Sequence, residues 1–212
     1  MAFNQDQEIT VKSINNVEIK QVENFKYLGD WLKSSEDDIN TRIARAWSVC
    51  HRLNRIWKST MKKCLKLRVF QSTVESVLLY NANTWTLTKE LTKRIDGSYT
   101  KMLRMTLNVS WKQHMTNREL YGSLPPVSAK IAEQRLRLSG HCVRHSEEIA
   151  SHLILWEPTQ GRRSRGRQRL TYVDNLRSDT GLHDADNIKA AMEDRKLWRD
   201  YVKIARSSKV SK

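Results

Sequence analysis

Apolar residues recur at helical spacing between residues 38 and 57. At about 100° per residue their side chains fall within one arc, and they are Ile39, Ile43, Ala46, Trp47, Cys50, Leu53 and Trp57. Arginines occupy the opposite arc, and no acidic residue follows Asp38 in this segment. These arginines are Arg42, Arg45, Arg52 and Arg55. The pattern predicts an amphipathic helix with a cationic outer stripe, for which an ordinary solvated face is the alternative reading.

Two further helices are predicted before residue 110. Residues 65–80 are apolar on nearly all sides, which is typical of a buried central helix. Residues 88–107 repeat the first pattern, with apolar and cationic sides. The apolar side comprises Leu91, Ile95, Tyr99, Met102 and Leu103, and the cations across from it are Lys93, Lys101 and Arg104. Three such helices joined by short loops can form a compact bundle.

The N-terminal segment has a different pattern. Residues 8–29 alternate between apolar and polar positions in short runs, and Asn15-Asn16 between two of them favours a turn. Phe25 and Tyr27 in the FKYLG sequence would share one face of a strand. Residues 1–33 are therefore predicted to form a small β hairpin or strand remnant, which needs a partner surface to be stable.

Helix breakers and caps divide the remainder of the chain. Pro125-Pro126 precedes a predicted helix over residues 127–145, and two more helices are predicted at about 170–179 and 185–206. Ser35 with Asp38 resembles a capping box for the first long helix, and Asn117 can cap a short one. The predicted fold class is mainly α: a short N-terminal β remnant, a three-helix bundle and a smaller C-terminal helical unit. The predicted segments are 1–33, 34–110, 111–160, 161–169 and 170–212.

Charge is unevenly distributed along the 212 residues. The formal net charge is +15, and residues 61–145 hold 15 Lys and Arg against 5 Asp and Glu. A middle third of this kind attracts polyanions and releases counterions from them. No run of about 18 apolar residues could span a membrane. The three cysteines are too few and too widely spaced for a disulfide framework, so we expect an intracellular location, nuclear or cytoplasmic.

The segment GRRSRGRQR, residues 161–169, is the sharpest functional signal. It contains five arginines and no acidic residue, and it reads as an exposed segment because so many like charges cannot pack together. Guanidinium groups pair bidentately with phosphates, so phosphate binding is predicted; a solvated or targeting tract is the alternative. The arginines are Arg162, Arg163, Arg165, Arg167 and Arg169.

No catalytic motif is present in the sequence. We find no phosphate-binding loop, no nucleophile elbow and no HExxH sequence, and a two-metal polymerase site cannot be assembled from a local motif. His141 and His145 are weak metal candidates, since their i, i+4 spacing places both on one helix face but supplies only two ligands. We therefore expect no cofactor and no enzymatic activity.

The order of several motifs resembles a known family. FKYLGDWL (25–32), DINTRIARAW (38–47), LKLRVFQSTVESVLLYNANTW (65–85) and YTKMLRMTLNVSW (99–111) are followed by NRELYG (117–122), RLRLSGHCVRH (135–145) and GRRSRGR (161–167). This series, over roughly residues 8 to 200, resembles the C-terminal region of non-LTR (LINE-type, RTE-like) retrotransposon reverse transcriptases.

The resemblance implies roles for three regions. Phe25, Lys26, Tyr27, Leu28 and Gly29 match the primer grip, which holds the primer end in such enzymes. Residues 35–107 match the helical thumb, which cradles the template–primer duplex, and residues after 111 match the C-terminal extension. The family's fingers, palm and endonuclease, with the catalytic aspartates of the palm, are not matched, so polymerase activity is not expected.

The leading expectation is a fragment that binds RNA, an RNA/DNA hybrid or a DNA duplex through backbone phosphates. No membrane partner is expected. Three alternatives remain open. They are a protein-interaction scaffold that self-associates near Phe25, Tyr27 and Trp31, an enzyme (a remnant polymerase or a metal hydrolase using His141 and His145), and a remnant without function. Salt-dependent binding would favour the first expectation, and salt-insensitive self-association would favour the scaffold.

Overall fold

The computed structural model describes residues 34–156 and 170–208, together with the backbone of four two-residue strands. The strands are β1 (Val11–Lys12), β2 (Glu18–Ile19), β3 (Lys26–Tyr27) and β4 (Asp30–Trp31). β1 pairs antiparallel with β2, and β3 pairs antiparallel with β4 in the register Lys26 to Trp31. Both pairs lie in the predicted strand region. Residues 1–38 form one compact unit and residues 39–212 form another.

The first helix is α1 (Ser35–Arg52). It starts at Ser35, the residue predicted to cap it. The hydroxyl of Ser34 accepts hydrogen bonds from the backbone amides of Glu36 (3.1 Å) and Asp37 (3.4 Å), so Ser34 caps the helix rather than Ser35. The first turn carries three acidic residues, whose negative charges stabilise the helix by interacting with the positive end of its dipole.

The predicted single helix over 38–57 is in fact two helices. α1 ends at Arg52, and α2 (Asn54–Lys58) begins after a break at Leu53. The indole of Trp57 donates a 2.8 Å hydrogen bond back to the carbonyl of Cys50, and the ammonium group of Lys66 donates a 2.5 Å bond to the carbonyl of Trp57. The first bond holds α2 against the end of α1, and the second satisfies a carbonyl in the last turn of α2.

The central apolar run forms a nearly continuous helical stretch. α3 (Lys63–Phe70) continues through a π-helical turn (Gln71–Glu75) into α4 (Ser76–Leu78). Phe70, Val74 and Leu78 recur every four residues and are fully buried, whereas Leu65 and Tyr80 are 43% and 51% exposed. The run therefore buries one face, and the prediction of a helix buried on nearly all sides is wrong. A 3₁₀ turn, Ala82–Thr84, then leads to α5 (Lys89–Thr106), capped by the Thr88 hydroxyl.

Six more helices complete the described chain. They are α6 (Asn117–Tyr121), α7 (Val127–Arg144), α8 (Ile149–Leu153), α9 (Tyr172–Thr180), α10 (Ala185–Glu193) and α11 (Arg195–Ser208), and a 3₁₀ turn covers Trp111–Gln113. Thr116, not Asn117, caps α6, in a capping box with Glu119. The predicted helix over 185–206 breaks at Asp194, whose carboxylate accepts from the amides of Lys196 (2.8 Å) and Leu197 (3.1 Å) and so starts a new helix.

Two adjoining hydrophobic cores lie within the described residues of the second unit. The first gathers side chains from α1 to α6 and ends with Val127 and Ile131 of α7. The second begins with Ala132 and Leu136 of the same helix and adds side chains from α9, α10 and α11. The mainly α fold is therefore confirmed. The segment boundaries proposed from sequence stay predictions, although the first core draws on residues beyond 110.

Polar contacts buried between the cores tie them together. Arg135 of α7 is 1% exposed, forms an ion pair with Asp179 of α9, and donates to the carbonyl of Trp85 (3.1 Å). The side-chain oxygen of Asn175 accepts from the amide of Leu87 (3.0 Å). These bonds join α7 and α9 to residues 85–87, just before α5. The two cores are therefore linked by buried polar contacts as well as by the shared helix α7.

Candidate nucleic-acid interface

Three of the four arginines of the predicted stripe lie at the surface. Arg45 and Arg52 on α1 and Arg55 on α2 are exposed. Arg42 is not: it is 5% exposed, and its guanidinium carbon lies 4.3 Å from the centroid of the Tyr80 ring. The prediction that Arg42 belongs to the outer stripe is wrong. Four residues place it only about 40° from buried Ala46 around the helix, at the margin of the apolar arc.

A longer stretch of the chain around this stripe carries only positive charge. Between residues 39 and 74 there are nine Lys and Arg residues and no Asp or Glu. Arg42 and Lys66 are buried, and the other seven side chains are exposed. The exposed cations are Arg45, Arg52, Arg55, Lys58, Lys62, Lys63 and Arg68. None of the seven forms an ion pair with a carboxylate in the described part of the chain.

The cations predicted on α5 separate into two classes. Lys93 and Lys101 are exposed and remain available to a polyanion. Arg104 is half-buried, and its guanidinium donates to the carbonyl of Met115 (2.8 Å) and the side-chain oxygen of Asn117 (2.9 Å). Arg104 therefore fastens the loop before α6 to α5, which is a structural task that the sequence pattern does not reveal.

Other predicted site residues lie outside the described residues. These are the five arginines of the 161–169 segment, together with Phe25, Leu28 and Gly29 of the primer-grip-like sequence. Lys26 and Tyr27 form β3, for which the backbone pairing with β4 is described and the side chains are not. The predicted roles of all these residues stay predictions.

The weak metal candidates lie together on the surface. The rings of His141 and His145 are exposed, with centroids 4.3 Å apart. Among residues 34–156 and 170–208, no group of three or more potential ligands forms around them or elsewhere. Cys142 beside them is buried, and burial raises the pKa of its thiol, so the metal-binding thiolate form is disfavoured.

One buried polar network joins the helices of the first core. The hydroxyl of Tyr99 and the ammonium group of Lys130 each donate a 2.6 Å hydrogen bond to the carboxylate of Glu75. Burial, and then the charge of Glu75, raise the pKa of Tyr99. Tyr99 stays neutral, and the carboxylate of Glu75 has two hydrogen-bond donors. The network therefore joins α5, α7 and the π-helical turn.

A third group of cations, which no motif indicates, lies between α7 and α11. A groove of about 470 Å³ is present there. Its charged lining residues are Glu133, Arg137, Arg144, Arg195, Arg199, Lys203 and Arg206. The sequence does contain a signal for part of it: Arg195, Arg199 and Lys203 recur every four residues and therefore share one face of α11.

Comparison with known proteins gives one informative match. The chain is 22% identical over 200 residues to an uncharacterized transposon-derived protein of Caenorhabditis elegans, with 87% of this chain and 71% of that protein covered. The chain thus has a transposon-derived relative. This similarity supports the transposon origin that the resemblance to a retrotransposon protein implies. No protein-family description matches the chain, and no solved structure matches it.

Hydropathy adds one finding about the described helices. None of the helices in residues 34–156 and 170–208 is both long and apolar enough to cross a membrane.

Proposed function

We propose that the chain is a nucleic-acid-binding module of the thumb and C-terminal type found in non-LTR reverse transcriptases. It holds RNA or a template–primer duplex through backbone phosphates and performs no chemistry of its own. The order of motifs and the transposon-derived relative support this reading. The observation that carries it is the stretch of residues 39–74, with seven exposed cations and no acidic residue.

The charge distribution favours a polyanion over an ordinary solvated face. A solvated face normally mixes both signs of charge. Here the exposed cations of α1, α2 and α3 have no carboxylate within the same stretch to neutralise them. A phosphate backbone would release its condensed counterions on contact, which makes binding favourable and steeply dependent on salt. Such contacts position a duplex without reading its sequence.

The decisive experiment reverses the charge of the stripe. Fluorescence anisotropy would measure binding of labelled duplex, hybrid and single-stranded oligonucleotides to the wild-type chain and to R45E/R52E/R55E. The matched control is K112E/R118E/K189E, which makes the same change of charge at three exposed positions on other elements. If the three arginines each contact one phosphate of a DNA duplex, the wild-type chain should lose about fortyfold more affinity for it than the stripe variant between about 50 and 200 mM salt.

The control decides whether position matters. The control variant should keep the wild-type salt slope, because its positions do not contact the nucleic acid, although the lower net charge weakens long-range attraction. Equal losses in the two variants would mean that only total charge matters, and the assignment of the interface to α1 and α2 would then be wrong.

The enzyme and scaffold alternatives have separate tests. Nucleotide incorporation with Mg²⁺ on a primed template would reveal a polymerase, and we expect none. Self-association through Phe25, Tyr27 and Trp31 would appear as a salt-insensitive dimer in analytical ultracentrifugation. The side chains of those three residues lie outside the described residues, so this alternative stays a prediction.

A further inference from the structure

The groove between α7 and α11 is built by a close helix contact. The indole of Trp198 donates a 2.7 Å hydrogen bond to the carbonyl of Leu136, and it lies directly over Gly140, where a side chain would collide with it. Trp198 and Val202 are buried and form the apolar floor. Trp198 is 2% exposed and Val202 is 9% exposed, and both belong to the second core. This packing holds the helices on either side of the groove in place.

Of the residues that the structure describes, six cations and one carboxylate line this groove. Arg137 and Arg144 belong to α7, and the other four belong to α11. The α11 residues are Arg195, Arg199, Lys203 and Arg206. Eleven residues of helix separate the first of these from the last, which corresponds to about 16 Å. The cations therefore form a row along one helix rather than a single cluster.

The chain neutralises only part of this charge. Glu133 accepts from Arg137 at 2.6 Å and lies 3.6 Å from Arg206, so one carboxylate serves two guanidinium groups. Lys203 pairs with Asp200 at 3.0 Å, in an exposed ion pair of little strength. Arg195 and Arg199 have no carboxylate partner in the described part of the chain.

Arg144 experiences the resulting positive field. Its guanidinium donates to the carbonyl of Met192 at 2.7 Å, at the junction between α10 and α11. Burial, and then repulsion by Arg195 and Arg199, lower the pKa of Arg144. Because these three positive charges repel one another, an anion bound among them would be stabilised.

We propose that this groove is a second nucleic-acid contact, which takes one strand of a phosphodiester backbone along the α11 row. A free phosphate would engage one or two guanidinium groups, whereas a row of about 16 Å is long enough to meet several successive phosphates of one strand. Among the described residues, no exposed aromatic ring lines the groove, so the contact reads backbone and not bases. The site lies on the second core, and it does not depend on the α1 stripe of the proposed function.

The test reverses two charges of the row, in the variant R195E/R199E. A labelled single-stranded 20-mer would be titrated by anisotropy at about 50 and 200 mM salt, with K112E/K189E as the matched control. Loss of two phosphate contacts on a single strand should make the wild-type chain lose about sevenfold more affinity over this range than the variant. A variant that binds with the wild-type slope would overturn the proposal.

Two further arms make the result specific. R195Q/R199Q removes the charges without introducing carboxylates, so it should show the same change of slope if the row itself binds; circular dichroism confirms that each variant is folded. Inorganic phosphate at low millimolar concentration should not displace the strand, and full displacement would reduce the site to a simple anion site. Binding of phosphatidylserine vesicles in place of the oligonucleotide, lost in the same variants, would identify a membrane surface instead and overturn the proposal.

Combining the variants separates this inference from the proposed function. In the R45E/R52E/R55E background, residual binding that R195E/R199E removes would support the groove alone. A stripe variant that behaves like its control, together with a groove variant that loses affinity, would refute the proposed interface and leave the groove standing. The reverse pattern would refute the groove only.

Discussion

Substitution of Gly140 by alanine is the sharpest test of how α7 and α11 pack. Gly140 is buried within α7, and an added methyl group would overlap the indole ring of Trp198 and lie 3.0 Å from Arg144 Nη1. Overpacking of this kind costs about 1–3 kcal/mol. Displacing the indole also breaks its bond to the Leu136 carbonyl and leaves two buried polar groups unsatisfied, at about 1–3 kcal/mol.

A favourable contribution opposes these costs. Alanine is preferred over glycine inside a helix by about 1 kcal/mol. The balance is a net destabilisation of about 1–5 kcal/mol, with a mid-range value of about 3 kcal/mol. With a urea m-value of about 2 kcal/mol/M, the mid-range value lowers the unfolding midpoint by about 1.5 M. Urea titration followed by circular dichroism would measure it.

Gly97 supplies the matched comparison within the same chain. It lies in α5, it is exposed, and nothing lies within 4 Å of the position that a methyl group would occupy. G97A should therefore gain up to about 1 kcal/mol. The two substitutions are chemically identical and should have opposite signs. If G140A were as stable as the wild-type chain or more so, the close contact between α7 and α11 would be refuted.

Three more predictions concern stability and thiol reactivity. Replacing Asp179 by alanine should cost about 3–5 kcal/mol in urea titration, because it leaves the charge of Arg135 buried and unpaired; a loss below 1 kcal/mol would show that the guanidinium finds other partners. Hydrogen bonds from Thr171 lower the pKa of Asp174 in the capping box of α9, so the stability that this carboxylate contributes is present above its unfolded pKa of about 3.9 and is lost as pH falls through the lower folded value. D174A should accordingly cost about 1 kcal/mol at pH 7, and a cost that persists unchanged at pH 2 would contradict this reasoning. Cys64 is exposed while the other two cysteines are buried, so a thiol reagent should label one site quickly, and C64S should remove that fast phase; two fast sites in the wild-type chain would show that a buried thiol opens.

The helical fold could be predicted because it depends on local periodicity. The apolar positions of α1, α5 and α7 recur at helical spacing, and the structure buries most of them. The exact ends of helices depend on which of several neighbouring polar side chains caps the backbone. Ser34 and Thr116 each cap one residue before the position expected from sequence, since neighbouring polar residues offer nearly equivalent oxygens.

Other features depend on contacts that are distant in the chain. Trp57 ties α2 back to the end of α1 and Lys66 binds the last turn of α2, and neither role is visible in helical periodicity. Arg42 is covered by Tyr80, which is 38 residues away in sequence. The groove arises only when α7 and α11 come together, so its α7 cations could not be joined to those of α11 from sequence alone.

A single helix that supplies side chains to both hydrophobic cores makes their melting interdependent. Separating the cores would expose either Val127 and Ile131 or Leu136 and Val143 to water, while their neighbours one turn away stayed packed. A chain that ends at residue 110 would lack Leu120, Val127 and Ile131, which cover part of the first core. It should be partly ordered and prone to aggregation. Residues 39–208 should therefore denature in one calorimetric peak, as one folding unit.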